Sequence, residues 1–448
     1  MRFWTSRAAR RPLALTLIAV AACADDPPTT GPSVMSIPAT RQALDGNVIL
    51  VTDASGANVP GSLPWAVSVA NGTSVIQFAD SLAGDTITLD ATLEAFPYIT
   101  IVGPTTKGIT LTTATGAGRV VRLRQGGVLR NLTISGGTDG TPGSAISTQG
   151  PLLLEHATVS NNHGGMSAIH GHEVTLVNST VSNNSGSGPA SGISIASNGT
   201  LTVVNSTVAH NEGAPGIGWV TSPGGPPVVT LRNSIVANNG SGSRNCESWI
   251  LYEHHGMNIA SDSTCGISAA MLVADPMLLG LTDNGGPTAT HALDHRSPAV
   301  NGGVNCNVTV DQRYVARGAS CDIGAFEFTD FTVVTLTIDA NAVTGASNGG
   351  ATVTGTVRCS RAGDEFGVLV ELEQRQKAGK TTTVIRGSGS TGIGCTTSAQ
   401  AWSVVVTPTT GAFVAGSASA SARTFDPPVW TAPASVARAV KLVRPPRR

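Results

Sequence analysis

Histidines and carboxylates are the groups in this chain best suited to chemistry near neutral pH. Five histidines fall in one stretch: His156, His163, His170, His172 and His210. A neutral imidazole binds metals, and its protonation changes near physiological pH. His170 and His172 stand two residues apart, so on a strand both rings share a face. A metal centre needs three or four ligands, and neither a Cys-x-x-Cys pair nor an interleaved histidine completes such a set. From Gly126 to Ser243 the acids are Asp139, Glu155, Glu173 and Glu212. The expected reading is histidines in solvated turns. No residue is assigned to catalysis, to a metal or to a cofactor.

Cysteine chemistry says more. Arg2, Arg7, Arg10 and Arg11 precede a short apolar stretch that ends in Val20-Ala21-Ala22-Cys23. This pattern is that of an export signal, too short to span a bilayer. Two small residues before Cys23 resemble a bacterial lipobox, where cleavage leaves a lipid-bearing cysteine first. Residues 1–22 are therefore expected to be a lipoprotein signal peptide, and residues 23–45 a flexible tether rich in Pro, Thr, Ser and Asp. Export implies an oxidising compartment. The remaining cysteines form three neighbouring pairs, expected as the disulfides Cys246–Cys265, Cys306–Cys321 and Cys359–Cys395.

Composition points to the elements that must carry these groups. Charged residues make up 12% of the chain and aromatics 4%, with 53 glycines; a soluble domain usually has about 25% charged residues. Thr, Ser, Asn, Val and Gly in these proportions favour short stacked strands with polar turns. The net charge of −1 favours neither nucleic acid nor an anionic membrane surface.

The central region repeats. Leu129-Arg-Asn-Leu-Thr-Ile134, Leu154-Glu-His-Ala-Thr-Val159, Leu176-Val-Asn-Ser-Thr-Val181, Val203-Val-Asn-Ser-Thr-Val208 and Leu231-Arg-Asn-Ser-Ile-Val236 align, with leading residues 25, 22, 27 and 28 apart. Apolar residues alternate within each unit, which is the strand period. A second apolar series, Ile146, Ile169, Ile193 and Ile217, follows Ala or Gly each time. Variable spacing with several strands per unit implies coils stacked into a solenoid. Leu154, Leu176, Val203 and Leu231 are expected to form one interior column and the isoleucines a second. Val177, the neighbour of Leu176, is expected on the outer face. Asn162, Asn184, Asn211 and Asn239 recur eight residues after each leading position. They suit either amides stacked up a column or left-handed turns.

A family resemblance rests on an ordered series of motifs. These are Gly256-Met-Asn-Ile-Ala-Ser-Asp-Ser-Thr-Cys265, Ala274-Asp-Pro-Met-Leu-Leu-Gly280, Asp283-Asn-Gly-Gly-Pro-Thr-Ala-Thr-His-Ala-Leu293, Ser297-Pro-Ala-Val-Asn-Gly302, Asp311-Gln-Arg313 and Cys321-Asp-Ile-Gly-Ala-Phe-Glu327. The series resembles the closing segment of the choice-of-anchor Q proteins, which are similar to polymorphic outer-membrane proteins. Gly61-Ser-Leu-Pro-Trp-Ala-Val67 and Asp85-Thr-Ile-Thr-Leu89 are similar to that family's opening coils. Two positions depart from the pattern: Tyr314 stands where the family has Gly, and Pro64-Trp65 replaces an Arg-Glu pair. The resemblance implies a right-handed parallel β-helix at a cell surface, over residues 46–328, with no established reaction. Asp311, Arg313 and Asp322 are expected to pair structurally at the end of the solenoid.

Residues 329–425 change character. Alternation at Val353, Gly355 and Val357, at Val368, Val370 and Leu372, and at Trp402, Val404 and Val406 implies a small antiparallel β-sandwich, Ig-like in architecture. Residues 426–448 read as a disordered basic tail. The fold class is thus all-β, a right-handed parallel β-helix followed by a small antiparallel β-sandwich.

The expected function is that of a lipid-anchored surface protein of the bacterial outer membrane or cell surface, structural or adhesin-like. Its partners would be the membrane through the N-terminal lipid, and surface glycans or other surface proteins. The alternative is a polysaccharide lyase or hydrolase of the pectate-lyase-like class. Hydrolases pair carboxylates roughly 5–9.5 Å apart. Asp139 and Glu212 share a column most closely, but three coils at about 4.8 Å separate them by about 14 Å.

Overall fold

The computed structural model describes residues 47–114, 118–220, 223–240, 244–329, 332–425, 431 and 433–445. The expected signal peptide, Cys23 and the tether lie outside them. No helix among the described residues is long and apolar enough to cross a membrane.

The repeats stack as a parallel β-helix. One nine-stranded sheet runs from Thr86–Leu89 through Thr158–Ser160 and Thr180–Ser182 to Met271–Val273. A thirteen-stranded sheet holds two rows of short strands, which merge in the long strands Ile169–Val177 and Ile193–Val204. Register confirms both columns. Leu154 pairs with Leu176, Leu176 with Val203 and Val203 with Leu231. Ile146 pairs with Ile169, then Ile193, then Ile217. All eight side chains are fully buried. Each coil alone leaves its apolar side bare, so the core exists only as a stack.

The two readings of the asparagines hold at adjacent positions. Asn162 donates to Asn184 (2.9 Å), Asn184 to Asn211 (2.8 Å) and Asn211 to Asn239 (2.8 Å), all buried. The residues just before them, Asn161, Asn183, His210 and Asn238, take the left-handed conformation. A second left-handed series is Asn131, His156, Asn178, Asn205 and Asn233, one per coil. Asn tolerates this backbone because its short polar side chain bonds locally.

The N-terminal end is capped by a helix, Leu63–Val69, where an opening coil was expected. Ser62 accepts a hydrogen bond from the Trp65 N–H, and Pro64 sits in the first turn, where no intrahelical N–H is needed. Leu63, Ala66 and Val67 cover the end of the interior column.

Residues 284–328 do not sit at the end of the solenoid, as expected for Asp311, Arg313 and Asp322. They lie along its flank. Pro287 accepts from the Gly108 N–H. The Ser182 hydroxyl bonds His291, one coil beyond the His156 carbonyl that accepts from Thr288. The chain then comes back: Val304 bonds Asn233, Val310 bonds Asn178, Gln312 bonds His156 and Tyr314 bonds Asn131. It ascends again to Gly324, whose N–H reaches the Asn233 carbonyl. Val177 lies on the outer face by alternation yet is only 3% exposed. The adjoining Asn178 donates to the Val310 carbonyl of the closing segment (3.0 Å). Val177 thus takes the expected outer face but is buried there.

The C-terminal domain is a closed sheet. In order, Gly350–Cys359, Asn341–Ala346, Ser435–Val443, Gly416–Phe425, Glu365–Ala378, Thr381–Gly394 and Gln400–Pro408 form a ring, the last pairing back to the first. Val353, Val357, Val368, Val370, Trp402 and Val404 fill it. Ser435–Val443 corrects the expected tail. Val440 and Leu442 are buried, and the strand pairs with Gly416–Phe425 from Ser435 to Leu442. The three disulfides have Cα separations of 5.0, 5.9 and 5.9 Å, within ordinary reach. Cys246–Cys265 closes the last coils, Cys306–Cys321 the closing segment, and Cys359–Cys395 the C-terminal sheet.

Candidate functional site

The densest polar constellation lies between the closing segment and the solenoid flank. Asp311 is fully buried. One of its oxygens accepts the N–H groups of Arg313 (2.8 Å) and Val315 (3.0 Å). The other accepts two guanidinium N–H groups of Arg313 (2.9 and 2.6 Å) and the Glu327 N–H (2.9 Å). The Arg313 guanidinium also lies 3.6 Å from the centre of the Phe326 ring. Arg317, almost fully buried, donates to Glu327 (3.1 Å), to the carbonyls of Val310, Asp322 and Gly324, and across to Asn178 (3.3 Å). Asp322 accepts from the N–H groups of Asn301 and Phe328.

Three carboxylates and two guanidiniums leave one negative charge without a counter-ion. Asp322 absorbs the imbalance: burial first, and then the nearby Glu327 carboxylate, push its pKa up to about 7. Each of these groups is satisfied by the chain's own donors and acceptors, so the cluster fastens one segment to another.

Gln312 stands at the centre of the Asp311-Gln-Arg313 motif. It is fully buried, and its amide accepts from Thr180 (2.7 Å) and donates to Thr158 (2.9 Å) and Thr288 (2.8 Å). It bridges two coils and the segment itself. Its signal was the motif's central position; its partners lie far away in sequence.

Tyr314 explains the departure at that position. Its φ is 68°, a backbone that favours glycine. The ring stacks on His156 at 4.0 Å and the hydroxyl donates to Asn131 (2.8 Å). His156 is likewise the one histidine in its left-handed series of asparagines, so the two unusual residues meet.

The histidines do not converge on a metal. Among the described residues no group of three or more His, Cys, Asp or Glu forms a ligand set. His163 and His172 are exposed, but not in turns: His172 lies in the strand Ile169–Val177 and His163 bridges to Ser185. His156 is buried, His170 bonds the Ser194 hydroxyl (2.9 Å), and His210 lies 5.1 Å from His291 between ring centres. Burial lowers the pKa of His156, His170 and His210, and takes that of His291 down to about 4. The acids are also separated. Glu155 pairs with Arg130 (2.5 Å) and Asp139 with Arg119 (3.2 Å). The Gly165 N–H of the next coil donates to the Asp139 carbonyl, while Glu212 pairs with Ser185, which itself pairs with His163. Asp283 serves its turn by accepting from the Gly285 N–H (2.9 Å).

One outward row is free of the closing segment's hydrogen bonds. Thr175, Thr202 and Thr230 align coil on coil, half-buried, and Thr230 donates to Glu253 (3.3 Å). Their spacing is about 4.8 Å, the strand repeat.

Residues 100–268 match the family described as right handed beta helix region, and the solenoid is a right-handed β-helix. No curated protein matches the chain by sequence. Among solved structures, the chain is similar to the Acinetobacter phage vB_ApiP_P1 tailspike protein. The two share 11% identity over 85% of this chain and 84% of that one, with a TM-score of 0.22, too low to relate them further.

Proposed function

We propose that this is an exported bacterial surface protein, lipid-anchored at Cys23, whose β-helix has a structural or adhesin-like binding role of the choice-of-anchor Q kind. The observation that carries this reading is the long stack of coils stapled along one flank while a regular polar row, Thr175, Thr202 and Thr230, stays outward on another. A stiff rod with an evenly spaced hydroxyl face suits contact with an extended partner such as a surface glycan. Disulfide-rich architecture fits the exported compartment.

Two measurements test it. Cys23→Ala should release the protein from the membrane fraction or block its processing; unchanged partitioning into the detergent phase contradicts the anchor. A glycan array probed with the mature protein should show binding that Thr202→Arg reduces. Cleavage of a bound polysaccharide by the purified protein would establish the carbohydrate-active alternative instead.

A further inference from the structure

The net charge of −1 conceals two opposed domains. Residues 47–329 hold ten Lys and Arg against eighteen Asp and Glu, a net of −8. Residues 332–445 hold ten Lys and Arg against six Asp and Glu, a net of +4. Most of that excess sits at one place. Glu365–Ala378 and Thr381–Gly394 form a long antiparallel hairpin, in register up to Ala378 opposite Thr381, with Gly379 in a left-handed turn. Its outer end carries Arg375, Lys377, Lys380 and Arg386 against the single acid Glu373.

The cations face outward together. Arg375 and Lys377 alternate with Gln374 and Gln376, which turn the other way. Arg386 lies opposite Glu373 on the same face. Arg375 and Arg386 are 76% and 70% exposed, and Lys377 and Lys380 are exposed too. Glu373 bonds Arg386 (3.0 Å) and lies 3.7 Å from Arg375, so it offsets only part of the charge. The hairpin end is held firmly: Gln374 donates to the Val414 carbonyl (2.7 Å) and Gln376 to that of Ala412 (2.8 Å). A basic face is thus presented on a braced support.

We propose that this hairpin end binds an acidic polysaccharide, a linear sugar polymer bearing carboxylates. Arg375 and Lys377 stand about 7 Å apart along one strand face, a spacing that meets successive charges on an extended polymer. Guanidinium groups take carboxylates in two-bonded geometry. The exposed Thr382, paired with Lys377 on the same face, lies beside them for the sugar hydroxyls. Other polyanions fit less well. No aromatic residue occurs between positions 373 and 386, so bases find nothing to stack on. Ile385 is buried and Val384 half-buried, so no large apolar side chain is offered to a bilayer. The acidic solenoid repels the same polymer, which confines it to the hairpin. The proposal is independent of the lipid anchor and of any ligand on the β-helix.

The test uses the mature full-length protein with polygalacturonate as the acidic probe, and dextran, single-stranded DNA and phosphatidylglycerol vesicles beside it. Polygalacturonate should bind at about 50 mM salt and weaken at least about tenfold by about 200 mM, as counter-ion release requires; dextran should not bind. Combined Arg375→Ser, Lys377→Ser and Lys380→Ser should lose at least about tenfold in affinity, while Arg375→Lys with Lys377→Arg and Lys380→Arg keeps it. Near-ultraviolet circular dichroism checks folding. Should the triple Ser variant misfold, each single Ser variant is measured, and each should weaken binding. Undiminished binding by the Ser variants, no binding of polygalacturonate by the native chain, or tighter binding of DNA or vesicles overturns the proposal.

Discussion

The β-helix and the C-terminal sheet are built from the same residues, Val, Thr, Ser and Gly, yet they solve different problems. The C-terminal sheet closes on itself: Gly350–Cys359 pairs with Gln400–Pro408, and its ring leaves no long open edge. A stack of parallel coils has two ends and a flank. The chain covers one end with the helix Leu63–Val69 and one flank with residues 284–328. The difference teaches where buried charge is used. The C-terminal sheet carries its exposed cations at a hairpin end, whereas the β-helix buries Asp311, Arg313, Arg317, Asp322 and Glu327 to fasten its flank.

The sharpest way to break the comparison is inside the stack. Leu176→Ala should cost the β-helix about 2–5 kcal/mol, through lost transfer energy and the cavity left behind. Leu176→Asp should abolish its cooperative unfolding, since it buries an unpaired carboxylate. The C-terminal transition should remain in denaturant titrations. Equal loss in both transitions would mean that the two domains do not unfold separately.

Removing the staple comes next. Arg317→Ala leaves Glu327 buried without its partner, and such a loss costs about 3–5 kcal/mol. The cost should appear in the β-helix transition alone. Closely behind it stands the outer face. Val177→Asp places a carboxylate at a buried outer-face position and should cost about 1–3 kcal/mol. Thr175→Asp, on the outward row, should stay within about 1 kcal/mol. Equal midpoints for these two variants would contradict the burial of Val177.

The smallest effect is the dependence on pH. Asp322 holds its proton more tightly folded than unfolded, so its contribution is present at low pH and lost as pH rises from about 4 to about 7. His291 has the opposite sense: its contribution is lost as pH falls from 6.5 to about 4. The two largely offset each other. Asp322→Asn should therefore expose a decline in stability on acidification from pH 6.5 to 4, read from thermal melts. A profile identical to that of the parent chain would contradict the assignment.

How far the sequence revealed this follows from what repeats. Leu176 and Ile169 declared their columns because the same residue types recur in every coil, and the strand period does the rest. The asparagine ladder was legible for the same reason. The flank was not. Gln312 meets Thr158 and Thr180 across more than a hundred residues, with no periodicity to announce it. Alternation tells which face Val177 takes, but not that it is buried there. Arg438 and Lys441 masked the inward Val440 and Leu442, so a strand read as a basic tail. The charge on the hairpin vanished in the net value because the β-helix cancels it.

Hydrogen exchange at the amides of Gly324 and Ala325 tests the stapled flank most directly. Neither residue lies in a strand, yet Gly324 donates to the Asn233 carbonyl (2.9 Å) and Ala325 to the Thr207 hydroxyl (3.2 Å). Both amides should exchange as slowly as those of Thr207–Ala209, and both should lose that protection in Arg317→Ala. Fast exchange at Gly324 and Ala325 in the native chain, with the coils beneath them still protected, would contradict it.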